Sequence, residues 1–296
     1  MAVRRSHFEL RTRLRHVQGG APPTPAYALG LLKPLERSLE QRARAAARQR
    51  RTAQSNVSDQ QASLIRMVTE QPYYEKLARQ QRIIPKKPPR NYLHSAGVPI
   101  EAEARSGSIL TILVPPYNYE WTWHWEDQGG HGIPFVDKSK GQFGGHCDNI
   151  GSSAAGVGIF FQPLAASAWV SFSPYVKYGY YWLANSHFMN AHTDAFIGTY
   201  VVSTDLSGGN VIVHVDTRIS IYNATSWWLI QQLDAEDGLV VWPGDVSVEF
   251  PAVNQRRYFI WTWCGLNTWG NDGLNPNWSQ AYGNLWATTV FASTRQ

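Results

Sequence analysis

The sequence is short of cysteine, of long apolar runs and, at its beginning, of tryptophan and acidic residues. Its two cysteines, Cys147 and Cys264, are too few for a disulfide framework, and the sequence leaves open whether they pair. No stretch approaches the roughly 18 consecutive apolar residues of a membrane span. The first residues do not lead into the apolar part of a secretory signal peptide. We therefore expect no transmembrane segment, and a location in the cytoplasm or export by a specialised route.

Charge and aromatic residues are divided unevenly along the chain. Residues 1–90 carry 19 Lys+Arg against 6 Asp+Glu, whereas residues 91–296 carry 8 against 16. All 13 tryptophans lie at or beyond Trp121. The run Ile83–Arg90 is rich in proline, which favours extended backbone and is typical of a linker. We predict a basic arm over 1–90, helical or partly disordered, with this proline-rich linker at its end, and a tryptophan-rich β-sandwich domain over 91–296.

Good helix formers dominate the arm from Lys33 to about Ala53, and Pro34 is acceptable in a first turn, so a helix is predicted there. Its leucine stripe is thin and surrounded by arginine, from which we expect only weak docking. A second helix is predicted to begin at Ser58, and a shorter helical run is expected over 73–81.

Five arginines of the first helix form the candidate site for an anionic partner: Arg42, Arg44, Arg48, Arg50 and Arg51. Clustered cations bind phosphates or an anionic surface with salt-sensitive affinity. The same composition fits an address that docks the protein or is read by a secretion apparatus. It also fits a helix face that is simply solvated.

Beyond residue 108 short β-branched and aromatic runs alternate with Gly, Asn, Asp and Pro. This pattern predicts an all-β sandwich or jelly roll of roughly 10–12 strands. We expect strands near 109–114, 118–125, 156–161, 167–173, 176–183, 196–203, 210–222, 226–232, 238–242, 246–250, 257–264 and 284–292.

A turn-rich segment from Leu266 to Tyr282 mixes aromatic rings with short polar side chains. Sugars stack on Trp or Tyr and hydrogen-bond to Asn and Asp, so this segment is the candidate ligand-binding loop. The residues proposed to contact ligand are Trp269, Asn271, Asp272, Asn275, Asn277, Trp278 and Tyr282.

Four histidines are each followed two residues later by an acid: His124 and Glu126, His146 and Asp148, His192 and Asp194, His214 and Asp216. In a strand this spacing places both side chains on one face. If the pairs converge they could hold a divalent metal, or one carboxylate could orient a histidine base. The alternative is that each acid only solvates its histidine on a polar strand face, in which case no cofactor is expected.

These patterns favour a non-catalytic β-sandwich protein that binds a ligand or partner surface, with a glycan as the first hypothesis and the basic arm for docking or targeting. A second hypothesis is a structural subunit of a particle or shell, because an Arg-rich arm before a jelly roll resembles the general plan of icosahedral capsid proteins. A third is a metal-dependent enzyme that uses the histidine–acid pairs. Oligomer formation is compatible with all three.

Overall fold

The computed structural model describes residues 21–55, 63, 67, 108–127, 130–163, 166–185, 190–226, 231–241, 245–269 and 278–295. Apart from Ser63 and Met67, the helix expected from Ser58, the run over 73–81 and the linker lie outside these residues. The division of the chain at residue 90 therefore stays a prediction.

Within the described ranges, two helices precede twelve strands. The helices are α1 (Pro25–Gly30) and α2 (Lys33–Ser55), and the strands are β1 (Ser108–Leu113), β2 (Tyr119–Glu126), β3 (His131–Asp137), β4 (Gln142–Asp148), β5 (Ile150–Phe161), β6 (Ser167–Asn185), β7 (Ala191–Asp205), β8 (Ile212–Ser226), β9 (Gln231–Val241), β10 (Val248–Val253), β11 (Arg256–Trp269) and β12 (Trp278–Arg295). The helix predicted from Lys33 is confirmed. No helix in the described ranges is long and apolar enough to cross a membrane.

The strands form two antiparallel sheets packed face to face. One sheet has the order β10-β6-β12-β4-β3, with β1 added beside β12 and β9 beside β6, and the other has the order β2-β5-β11-β7-β8. Successive strands cross repeatedly from one sheet to the other, as strands commonly do in β-sandwiches. The predicted all-β sandwich is thus confirmed.

The main core lies between the sheets. Inward-facing aromatic and β-branched residues fill it, among them Phe172, Val201 and Ile260. Cys147 and Cys264 are buried and are not bonded to each other. Burial raises the pKa of both thiols to about 12, so each remains a protonated, apolar group.

Two strands, β3 and β4, were not expected from the sequence. Both contain glycine, which weakens strand propensity. Tight packing explains the glycines, because a Cβ on Gly145 would lie 2.3 Å from Ser153 Oγ and one on Gly132 would lie 2.3 Å from the Ser152 carbonyl oxygen. Several strands of the structure are longer than the ranges expected from the sequence. The two strands expected at 167–173 and 176–183 form the single strand β6.

The outer face of the five-stranded sheet, turned away from the seven-stranded sheet, carries a row of aromatic rings that α1 and α2 cover. We call it the aromatic face, and it consists of Tyr119, Trp121, Phe160, Tyr200, Phe259, Trp261 and Trp263. Leu32, just before α2, and Leu35 and Leu39 within it pack against this face and are almost fully buried. The expectation of weak docking is therefore wrong. A thin leucine stripe suffices here because the sheet offers wide rings to receive it.

Hydrogen bonds fix the helices to this face at both ends. Trp121 Nε1 donates to Glu36 Oε1 over 3.0 Å, and the Tyr119 hydroxyl donates to the Pro23 carbonyl over 3.0 Å. At the other end of α2, the Arg51 guanidinium pairs with the Asp127 carboxylate. The described part of the basic arm, residues 21–55, is thus a structural layer on the sandwich.

Candidate ligand-binding cleft

A cleft of about 540 Å³ opens between α2 and the outer face of the five-stranded sheet. It lies where β7 begins and β11 ends. Its lining comes from three places: Leu39, Arg42, Ala45, Ala46 and Gln49 on α2, Asn190, His192, Asp194 and Phe196 at β7, and Asn267 and Trp269 on β11. Small-molecule sites in proteins have volumes of this order, so this cleft is the candidate binding site.

Strand register explains why polar and aromatic side chains share the sheet wall of the cleft. Every second residue of a strand faces the same side, which places His192 and Asp194 together. The pairing of β7 with β11 sets His192 opposite Trp269 and Asp194 opposite Asn267. On the other side of β7, Thr225 of β8 lies opposite His192. Residues distant in sequence therefore form two rows across neighbouring strands.

Hydrogen bonds lock these rows. Thr225 Oγ1 lies 2.7 Å from His192 Nδ1, and His192 Nε2 lies 3.1 Å from Asp194 Oδ2. Asn267 Nδ2 donates to Asp194 Oδ1 over 2.6 Å. Because a carboxylate only accepts, His192 Nε2 donates to Asp194, and the Thr225 hydroxyl is the partner of Nδ1. The network fixes the orientation of the imidazole.

Trp269 is the aromatic platform of the cleft. Its ring stacks on His192 with a centroid distance of 4.5 Å and an interplanar angle of 18°. The residue is half-buried, and its Nε1 is buried with no hydrogen-bond partner in the described part of the chain. Trp269 therefore offers its apolar ring to the cleft, while its Nε1 is enclosed by the protein.

Arg42 forms the opposite wall. The residue as a whole is exposed. Its guanidinium is nevertheless partly buried, and this burial lowers the pKa of Arg42. The nearby Arg218 lowers it further, and Asp216 and Asp194 oppose the change. Arg218 is already engaged, since its Nε and Nη2 bond to the two Asp216 oxygens over 3.2 and 3.0 Å. Within the described ranges Arg42 has no hydrogen-bonded partner.

The wall can do two kinds of chemistry. A fixed imidazole, carboxylate and amide beside an indole ring form a rigid surface that hydrogen-bonds and stacks with a polar ligand. The order hydroxyl, imidazole, carboxylate is also the arrangement of an activated nucleophile, with Thr225 supplying the hydroxyl.

The loop predicted over Leu266–Tyr282 is shorter than expected. Leu266–Trp269 belong to β11 and Trp278–Tyr282 to β12, which lie in different sheets. Their backbones pair with neighbouring strands on both sides, and this pairing overrides the turn-forming composition. Of the seven proposed ligand contacts, Trp269 has a described side chain, and it lines the cleft. The other proposed contacts, Asn271, Asp272, Asn275 and Asn277, lie outside the described residues, as do the side chains of Trp278 and Tyr282.

Two of the histidine–acid pairs lie apart from the cleft on β2 and β4. His124 and Glu126 are exposed, and Glu126 Oε1 accepts from the Gly132 amide over 3.2 Å. His146 and Asp148 are half-buried. Burial lowers the pKa of His146, while the neighbouring Asp148 acts in the opposite direction. Among the described residues, neither pair joins a larger cluster of possible metal ligands.

The pair His214 and Asp216 is separated by a bulge. β8 shifts its pairing with β7 between Val201 and Val202, so the two side chains meet different partners despite their spacing. His214 Nε2 lies 2.6 Å from Ser203 Oγ, whereas Asp216 pairs with Arg218. The described residues contain no group of three or more His, Cys, Asp or Glu that could hold a metal ion. The metal-site hypothesis therefore has no support in this part of the chain.

The five candidate arginines do not form one free patch. Arg44 pairs with Glu40 over 2.6 Å and Arg51 pairs with Asp127, so acids of the same chain partly neutralise the helix. Arg48 is exposed, Arg42 lines the cleft, and the side chain of Arg50 lies outside the described residues.

Sequence reasoning missed Asn267 as a site residue. It lies two residues before Trp269 in the same strand, and this spacing places both side chains on one face. The signal was available in the sequence once Leu266–Trp269 were assigned to a strand and not to a loop.

No protein-family model and no curated protein matches this sequence. Among solved structures, a chain in the structure of infectious bursal disease virus, Gx strain, is 9% identical with a TM-score of 0.16, over 63% of this chain and 39% of the viral chain. The family 11 carbohydrate-binding module from Clostridium thermocellum, in complex with a β-1,3-1,4-mixed-linked tetrasaccharide, is 9% identical with a TM-score of 0.15, over 58% of this chain and 87% of the module. Because these scores are low, neither similarity bears on the function of this chain.

Proposed function

We propose that this protein is a non-catalytic jelly-roll protein that binds a glycan in the cleft between α2 and the five-stranded sheet. The observation that carries the proposal is the half-buried Trp269 stacked on His192, directly beside the hydrogen-bonded pair of Asp194 and Asn267. A sugar presents an apolar ring face and several hydroxyls, which match an indole and oriented polar groups. Preorganised groups bind more tightly because little freedom is lost on binding.

A substitution at the platform tests the proposal. We expect Trp269→Ala to weaken binding of the best ligand from a glycan array by roughly tenfold or more, as loss of one stacking contact implies, with little change in the melting temperature. Trp169→Ala is the matched control, since Trp169 is 55% exposed and lies on β6, away from the cleft. Equal loss of binding in both variants, or unfolding of the Trp269 variant, would contradict the proposed site.

The non-catalytic part of the proposal needs its own measurement. The bound glycan is incubated with the protein and the products are separated by mass. We expect the glycan to be unchanged. Cleavage that disappears in Thr225→Val, which keeps the shape but removes the hydroxyl, would instead identify an enzyme with Thr225 in its site.

For the arm we propose docking to an anionic partner, with the five candidate arginines of α2 taking part. Their attraction to phosphate or sulfate should weaken steeply with salt. This contribution is measured by the binding of the full chain to a polyanion such as heparin. The comparison is a variant in which Arg48 and Arg50 are replaced by Gln. Unchanged, salt-independent binding would contradict it.

A shell-forming subunit is the second candidate, and an exposed apolar strip favours it. Leu206, Val211, Ile212 and Val213 are exposed where β7 turns into β8, and β8 is the last strand of its sheet in the described part of the chain. Exposed apolar edge strands tend to pair with other chains. Size-exclusion chromatography with light scattering distinguishes a monomer from a large particle, and Val213→Lys should disrupt a particle held by this strip.

A further inference from the structure

The charged groups of the cleft differ in how much of their hydrogen-bonding capacity is used. Both oxygens of Asp194 already accept a hydrogen bond, one from His192 and one from Asn267. The Asp216 carboxylate is occupied by Arg218. Arg42, in contrast, lines the cleft with its donors unused by any described residue. Each acid of the site therefore has a hydrogen-bonded partner in this chain, whereas the Arg42 cation has none among the described residues.

An excess of positive charge does not explain why Arg42 lacks a partner, because Arg42 and Arg218 balance Asp194 and Asp216. What distinguishes Arg42 is a guanidinium with five donors and, among the described residues, no acceptor bound to it. A planar carboxylate matches that fork with two parallel hydrogen bonds, which is among the strongest polar contacts that an arginine makes.

From this arrangement we infer that the cleft selects an acidic sugar, a uronate whose carboxylate pairs with Arg42 while its ring lies against Trp269. The inference rests on the proposed function and names the ligand class of the same site. The partial burial that opposes the charge of Arg42 is offset when a carboxylate pairs with it. A neutral sugar would leave that cation unpaired.

The test compares trigalacturonic acid with its methyl ester, because esterification removes the carboxylate charge and keeps the sugar chain. By isothermal titration we expect the acid to bind roughly tenfold or more tightly than the ester, as one charge-assisted hydrogen-bonded pair implies. Arg42→Gln should reduce this preference to less than about threefold by weakening binding of the acid alone. Arg42→Lys should restore only part of it, since lysine keeps the charge and lacks the fork.

Arg37→Gln is the matched control, because Arg37 is not one of the five arginines assigned to an anionic partner. It removes the same charge from an exposed position of α2 outside the cleft lining, so it should change binding of the acid by less than about twofold, as expected for a screened surface charge. Equal effects of Arg42→Gln and Arg37→Gln, or equal affinity for acid and ester, would overturn the inference. Binding of neutral glycans in the cleft without preference for the acid would overturn the inference and leave the proposed function intact, whereas failure to bind any glycan would remove both.

Discussion

Replacing Leu35 by Ala tests whether α2 is part of the cooperative fold. Leu35 is 1% exposed and packs on the aromatic face. The substitution removes three buried carbons at about 0.8 kcal/mol each, or roughly 2.4 kcal/mol. A cavity among rings held by other strands does not fully collapse, which raises the cost toward about 3–4 kcal/mol. We expect the free energy of unfolding to fall by about this amount.

Urea titration gives the free energy of unfolding, followed by tryptophan fluorescence and circular dichroism. Trp121, Trp261 and Trp263 lie under the helix, so their emission reports undocking, while circular dichroism reports the helix itself. The two transitions should coincide if helix and sheets unfold together. Gln41→Ala, at an exposed position of the same helix, is the control and should change the free energy by less than about 0.5 kcal/mol.

The reasoning fails if Leu35→Ala behaves like Gln41→Ala, or if fluorescence changes at a lower urea concentration than circular dichroism in the unsubstituted protein. Limited proteolysis gives an independent check. Cleavage within 33–55 of the native protein, leaving a folded remainder, would mean that the arm is separable and that α2 contributes little to the core.

Three further predictions follow from single contacts. Gly158→Ala should destabilise the protein by about 1–3 kcal/mol, because its Cβ would lie 2.6 Å from the Trp261 ring. Gly30→Ala, whose Cβ would have nothing within 4 Å, is the control and should leave the stability unchanged when both variants are measured by thermal unfolding. The buried, protonated thiols of Cys147 and Cys264 should not react with a thiol reagent at about pH 8 until the protein unfolds, and rapid labelling of the native state would contradict their burial. Burial holds the pKa of His214 below its unfolded value, so the stability this neutral group contributes is present above about pH 6.5 and is lost as pH falls through the lower, folded pKa. His214→Gln should therefore show a smaller decrease in melting temperature than the unsubstituted protein between about pH 7 and pH 5, and an equal decrease would refute this.

Local patterns in the sequence determined the class of fold and the helix α2. Alternating apolar residues between turn-forming clusters predict strands whatever their partners, and helix formers from Lys33 onward predict α2. The pattern is weak in β3 and β4, which contain glycine, and there the prediction failed. Their glycines lower strand propensity and are needed because a neighbouring strand packs too close for a side chain, which the local sequence does not show.

Tertiary structure alone decided which side chains meet. His192 and Asp194 were singled out from the sequence in one hypothesis, Trp269 in a second and Arg42 in a third. They share one cleft because the register of β7 with β11 pairs residues distant in the chain and because α2 docks across their sheet. Register and docking depend on the complementarity of whole surfaces, which spacing along the chain does not encode. A bulge in β8 likewise separates His214 from Asp216, so identical spacing in the sequence led to different surroundings in the fold.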